Sequence, residues 1–219
     1  MGRTRNGRSA GEIVQELRER ISSHALPPGS KLQEADLVTE FGVSRSCIRE
    51  VLSALEQRRL IRREPNRGAV VIRLAVDRVY ELYELREMLE GLCARLAAEK
   101  APSNSWDDLY ELFQGPMAQC VETTNVFEYI RGLEVMRSRM IEAAHNDLLR
   151  ESLDSIRDQT LVIIRRMTVL PGRMAIGLLE HRAVIDALRA GDPNEAERTA
   201  RANIRSAVEY IRRFEAFVL

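Results

Sequence analysis

The segment from Leu26 to Arg73, LPPGSKLQEADLVTEFGVSRSCIREVLSALEQRRLIRREPNRGAVVIR, constrains this chain more than any other. A helix from about Ser9 to His24 precedes it, with Ile13, Leu17 and Ile21 making one apolar stripe. Leu26-Pro27-Pro28-Gly29 breaks that helix. A short helix follows over about Gln33 to Phe41, with Leu37 and Val38 inward, and Gly42 supplies the left-handed residue that ends it. Ser44 is a good N-cap. The next helix, Arg45 to Arg58, buries Ile48, Val51, Leu52 and Leu55. Ser44, Arg45, Ser46 and Arg49 then point outward from its first turns. Two short strands come last, Leu60 to Arg63 and Ala69 to Ile72, around the turn-forming run Glu64-Pro65-Asn66-Arg67-Gly68. Helix, turn, basic helix and basic hairpin in this order form a winged helix-turn-helix, a small α/β unit whose basic helix enters the DNA major groove.

Charge is divided along the chain. The whole sequence has no formal net charge, yet residues 1–75 hold 14 Lys/Arg against 9 Asp/Glu and residues 76–219 hold 19 against 24. A basic reader joined to an acidic larger domain explains that asymmetry. Arginine makes bidentate bonds to guanine, and backbone N–H groups at a helix start favour phosphate. Arg45 and Arg49 are therefore the main expected contacts, helped by Ser44 and Ser46, with Arg67 at the hairpin tip reaching phosphate or the minor groove and Gly68 making the turn. Arg3, Arg5 and Arg8 form a basic arm over residues 1–8, either a plain tail or a further phosphate contact.

From Val76 onward the pattern is helical, with six helices expected. These cover about Asp77–Glu99, Trp106–Val121 (disturbed at Gly115-Pro116), Asn125–Ala144, Asn146–Thr168, Arg173–Ala190 and Asn194–Phe217. Leu82, Leu85, Leu89, Leu92 and Leu96 are expected on one side of the first. Short connections make this an antiparallel all-α bundle. The division expected is thus an arm at 1–8, a reader at 9–74 and an effector-binding and dimerisation domain at 75–219. No serine–histidine–acid pattern, nucleotide loop or metal cluster is present, so no enzyme is expected. The three cysteines, Cys47, Cys93 and Cys120, lack disulfide or metal-finger spacing, and there is no targeting core or membrane span, so the expected location is the cytoplasm.

The stretch LPPGSKL…FGVSRSCIREVLSALEQRRLIRREPNRGAVV resembles the DNA-binding domain of GntR-type transcriptional regulators over about residues 10–73. That family's DNA-contacting arginines fall on Arg45 and Arg49, and its wing glycine on Gly68. Its further arginine in the second helix is replaced here by Ala35. VYELYELREMLEGLCARLAAE, MIEAAHNDLL and LLEHRAVIDALRAGDPNEAERTA resemble the all-helical FCD effector domain of the FadR-like branch, over about residues 77–213. The resemblance implies a homodimeric repressor that sits on a pseudo-palindromic duplex operator and leaves it when a small metabolite, often a carboxylic acid, enters the bundle. It also implies one Asp and three His around a divalent metal in many members. Those positions fall here on Leu133, Arg137, His181 and Asn203, so no metal and no other cofactor is expected. In its place Arg86, Glu90, Arg137, His181 and Asn203 are expected to line a pocket for an anionic or polar metabolite, with Arg137 holding a carboxylate directly. The rival expectation is a constitutive DNA-binding protein whose bundle only dimerises.

Overall fold

The computed structural model of the chain describes residues 8–64 and 68–218. They fall into two compact units. One ends at Leu74 and also takes in Ile156–Val162; the other takes in Ala75–Ser155 and the residues from Ile163 on.

The first unit opens with α1, Ala10–Ser22. Ser9 begins it with a full capping box: the Glu12 amide donates to Ser9 Oγ at 3.3 Å, and the Ser9 amide donates to the Glu12 carboxylate at 2.7 Å. The strand β1, Lys31–Leu32, precedes α2, Glu34–Phe41. Gly42 closes α2 at φ 65°, a conformation that costs glycine little. Then come α3, Arg45–Gln57, and the hairpin of β2, Ile61–Glu64, and β3, Gly68–Val71. The sheet has three strands rather than the two expected, because β1 pairs antiparallel with β3, Lys31 opposite Val70. Ile13, Leu17, Ile48, Val51, Leu55 and Ile61 are almost fully buried and form its core. Asp158 lies in this unit with a buried side chain. Its Oδ1 accepts from Arg18 Nε at 2.8 Å and its Oδ2 from Arg58 Nη1 at 3.1 Å.

The chain from Ala75 on is all helix, and its residues Ile156–Val162 count with the first unit. In order it contains α4, Val76–Lys100; a 3-10 turn, Ser103–Trp106; α5, Asp107–Gln114; α6, Pro116–Glu122; α7, Val126–Ala144; α8, Asp147–Thr168; α9, Arg173–Ala190; α10, Pro193–Arg213; and α11, Glu215–Val218. The expected second helix is thus two helices: Gly115 interrupts it and Pro116 starts the next at a position that needs no amide donor. The expected last helix stops at Arg213 and resumes for one turn. Asn125, Asn146 and Asp192 accept backbone amides at the starts of α7, α8 and α10. At helix ends arginine and lysine do the equivalent work: Arg182 Nε and Nη2 donate to the Phe113 carbonyl at 3.0 and 2.9 Å, and Lys100 Nζ to the Ala144 carbonyl at 2.7 Å.

Trp106, Phe113, Met117, Ile185 and Leu188 lie at the centre of the bundle. The face of α4 differs from the leucine stripe expected of it. Val79, Leu82, Tyr83, Cys93, Ala94, Ala97 and Ala98 are buried, whereas Leu85, Met88 and Leu92 are 48 %, 56 % and 40 % exposed. From Gly91 on, small residues carry the inner face, and they let the helices approach closely. No described helix is long and apolar enough to cross a membrane.

Candidate nucleic-acid interface and effector cavity

Ser44 stands at the start of α3 with extended backbone, and its hydroxyl accepts the Cys47 amide at 3.2 Å. The Ser44 and Ser46 hydroxyls are 2.8 Å apart. Ser44, Arg45, Ser46 and Arg49 are all exposed, as the sequence leads one to expect, and Arg45 makes no ion pair with another described residue. Arg49 Nε donates to Glu34 Oε2 of α2 at 3.2 Å. The side chains of that pair are 65 % and 39 % exposed, so water screens it and the guanidinium is only loosely held. The pair is fifteen residues apart and on different helices, so no local spacing announces it. Gly68 opens β3 at φ 77° opposite Glu64. Arg67 and the arm residues Arg3 and Arg5 lie outside the described residues; Arg8 pairs with Glu16 at 2.5 Å.

In the second unit the five expected pocket residues come from four helices: Arg86 and Glu90 from α4, Arg137 from α7, His181 from α9 and Asn203 from α10. All five line one cavity of about 60 Å³, with Leu133 and Met140 among its apolar walls. An adjoining cavity of about 40 Å³ shares Arg86, Leu133, Ile164, His181 and Asn203 with it. Its further walls include Tyr129 and Arg173. Each volume exceeds the roughly 15 Å³ that one water needs. That is room for a few waters or one compact solute.

The arginines already have acidic partners. Arg86 Nε donates to Glu90 Oε1 at 3.0 Å while its guanidinium lies over the Tyr83 ring, 5.3 Å from the centroid. Arg137 Nη2 donates to Asp154 at 2.9 Å. His181 Nδ1 bonds the Gly177 carbonyl one turn back in α9. Burial, aided by the positive charges of Arg173 and Arg86, pushes the His181 pKa down to about 4. The ring is therefore neutral at physiological pH. With Nδ1–H donated to Gly177, Nε2 is left as an acceptor. Burial also raises the Tyr129 phenol, whose hydroxyl donates to the Met174 carbonyl at 3.1 Å.

Sequence reasoning missed Arg173, Glu180 and Tyr129. Arg173 is the first residue of α9, and its Nη1 donates to Glu180 Oε2 at 2.9 Å. Asn203 Nδ2 donates to the same oxygen at 2.8 Å. The only signal for Glu180 was its place beside His181. Arg173 had none, since its partner lies two helical turns away. Among the described residues, no three His, Cys, Asp or Glu side chains gather as metal ligands would. His145 is exposed at the end of α7.

The model of bacterial regulatory proteins of the gntR family matches residues 9–71, and the FCD domain model matches residues 81–206. The chain belongs to the GntR family and carries an FCD domain. It is 28 % identical over 222 residues to the galactonate operon transcriptional repressor of Escherichia coli K12, covering 91 % of this chain and 95 % of that protein. It is 25 % identical over 203 residues to the HTH-type transcriptional regulator YdhC of Bacillus subtilis, covering 92 % and 90 %. In fold it is similar to E. coli McbR/YncC, with a TM-score of 0.80 at 18 % identity, covering 94 % and 98 %. As a GntR-family protein with an FCD domain, the chain is a DNA-binding transcriptional regulator rather than an enzyme.

Proposed function

We propose that this GntR-family protein is a sequence-specific repressor of the FadR-like branch, released from its operator by a small carboxylate. In this reading residues 1–8 are a basic arm, 9–74 the reader and 75–219 the effector-binding and dimerisation domain. Arg45 and Arg49 make the principal DNA contacts, with Ser44, Ser46, Arg67 and Gly68 around them. A homodimer in the cytoplasm presents two α3 helices to the half-sites of a pseudo-palindrome. The exposed stripe of Leu85, Met88 and Leu92 on α4 supports self-association.

The observation that carries the effector reading is the meeting of Arg86, Glu90, Arg137, His181 and Asn203, from four helices, on one cavity. Guanidinium groups in a water-poor site favour a carboxylate. The full-length similarity to a repressor of a galactonate operon is consistent with an acid effector. The residue types argue against a divalent metal there. Leu133 offers no ligand atom and Arg137 is a cation. Release follows if the acid binds one arrangement of the dimer better than the other.

The rival is a constitutive DNA-binding protein whose bundle only dimerises. The small cavity volumes and the acidic partners of the arginines favour it. One experiment separates the two. Operator binding by the purified protein is measured while sugar acids and short-chain acids are titrated, with and without chelator. Release unaffected by chelator is the expected result. Release that needs metal would overturn the metal-free site, and no release by any acid would favour the rival.

A further inference from the structure

The Arg173 side chain is 9 % exposed at the wall of the smaller cavity, a costly position for a cation without a counter-charge. Its counter-charge comes from within the chain. Glu180 Oε2 accepts from both Arg173 Nη1, at 2.9 Å, and Asn203 Nδ2, at 2.8 Å. Arg173 and Asn203 are wall residues of the cavity, so this carboxylate sits on the donors that an entering carboxylate would need. The seat is also rigid. Arg173 lies over the Tyr210 ring, 5.2 Å from its centroid, and Asn203 is 8 % exposed on α10. Glu180 itself is more exposed than either donor, at 20 %.

We propose that Glu180 is a built-in competitor: it occupies the Arg173–Asn203 anion seat in the empty protein, and the effector's carboxylate displaces it. This rests on the carboxylate-sensor reading above and adds to it the seat and its occupant. Glu180 keeps the buried guanidinium neutralised while the cavity is empty. It also sets the effector concentration needed for release, because each binding event must first break two hydrogen bonds. Ligands without an anionic group gain nothing from that exchange, so the same residue selects for acids.

The test uses the full-length protein and acetate, a carboxylate small enough for the cavity. Binding is followed through the side-chain Nε–H signals of 15N-labelled arginine, and folding through thermal melts. Glu180→Gln keeps the shape and removes the charge. The expected result is that Glu180→Gln binds acetate at least tenfold more tightly than the unaltered chain, with the Arg173 signal moving in both. Equal or weaker binding by the variant would make Glu180 a structural partner only and overturn the proposal. If the variant does not fold, the unaltered chain decides. Saturating acetate shifts the Glu180 carboxyl carbon if that group is displaced, and leaves it in place if it is not. Should neither protein bind acetate while both still hold operator DNA, the carboxylate-sensor reading falls too, whereas failure of the competitor alone leaves acetate binding intact.

Discussion

At the scale of single residues, the chain's reliance on arginine decides much of its chemistry. Arg45 and Arg49 stand exposed in the first turns of α3, the positions proposed above to face base edges. Changing either to Ala is expected to weaken operator binding by about 1–3 kcal/mol, read by fluorescence anisotropy. Full affinity in the double variant would remove α3 from the interface. His181 behaves oppositely, as a side chain that burial keeps neutral. Its pKa is about 4 in the folded chain against an ordinary 6.5, so below pH 6.5 the unfolded chain takes up a proton that the folded one refuses. Stability therefore falls as pH drops from 6.5 toward 4, by at most about 1.4 kcal/mol per pH unit for this one group. Denaturant melts across that window should show a shallower slope for His181→Asn than for the unaltered chain. Identical slopes would mean that the ring is not shielded.

Among the helices, close approach is set by what is missing. A Cβ at Gly132 on α7 would lie 2.1 Å from Met117 Sδ of α6, so Gly132→Ala must push the two helices apart or force the methionine into another rotamer. A loss of about 1–3 kcal/mol is expected, read as a lowered melting temperature; an unchanged one would show that Met117 yields freely. The boundaries of these helices were largely legible in the sequence, because capping is local: Ser44, Asn125, Asn146 and Asp192 each announce a start through their own side chains. Which way a helix faces was less legible. The leucines of α4 suggested an inward stripe at 85 and 92, but the alanines and Cys93 face the bundle, and only tertiary packing decides between them. The strand β1 is two residues long and gave no periodic signal at all. The cavity residues Arg86, Glu90, Arg137, His181 and Asn203 were found through a family pattern. The convergence of Arg173 and Asn203 on Glu180 escaped notice because it spans two turns of α9 and reaches across to the middle of α10.

For the molecule as a whole, the two units divide the labour by charge and by architecture. The basic segment carries the short helices and the three-stranded sheet, and the acidic segment carries the helical bundle with its buried Arg173. Burial raises the pKa of the Cys93 thiol on α4 to about 12, so that cysteine stays protonated and unreactive. The outward stripe on α4 has a consequence of a different kind. Three large apolar side chains a helical turn apart make solvation costly for the separate chain, and a second chain that covers them is linked by mass action to folding. The melting temperature should then climb as the protein is made more concentrated, and Met88→Glu should abolish that climb while leaving the dilute protein folded. A melting temperature indifferent to dilution would mean that each chain stands by itself. For a cell, the first outcome makes the amount of regulator part of the signal: below a threshold abundance the protein would lose paired half-site binding before any effector arrived.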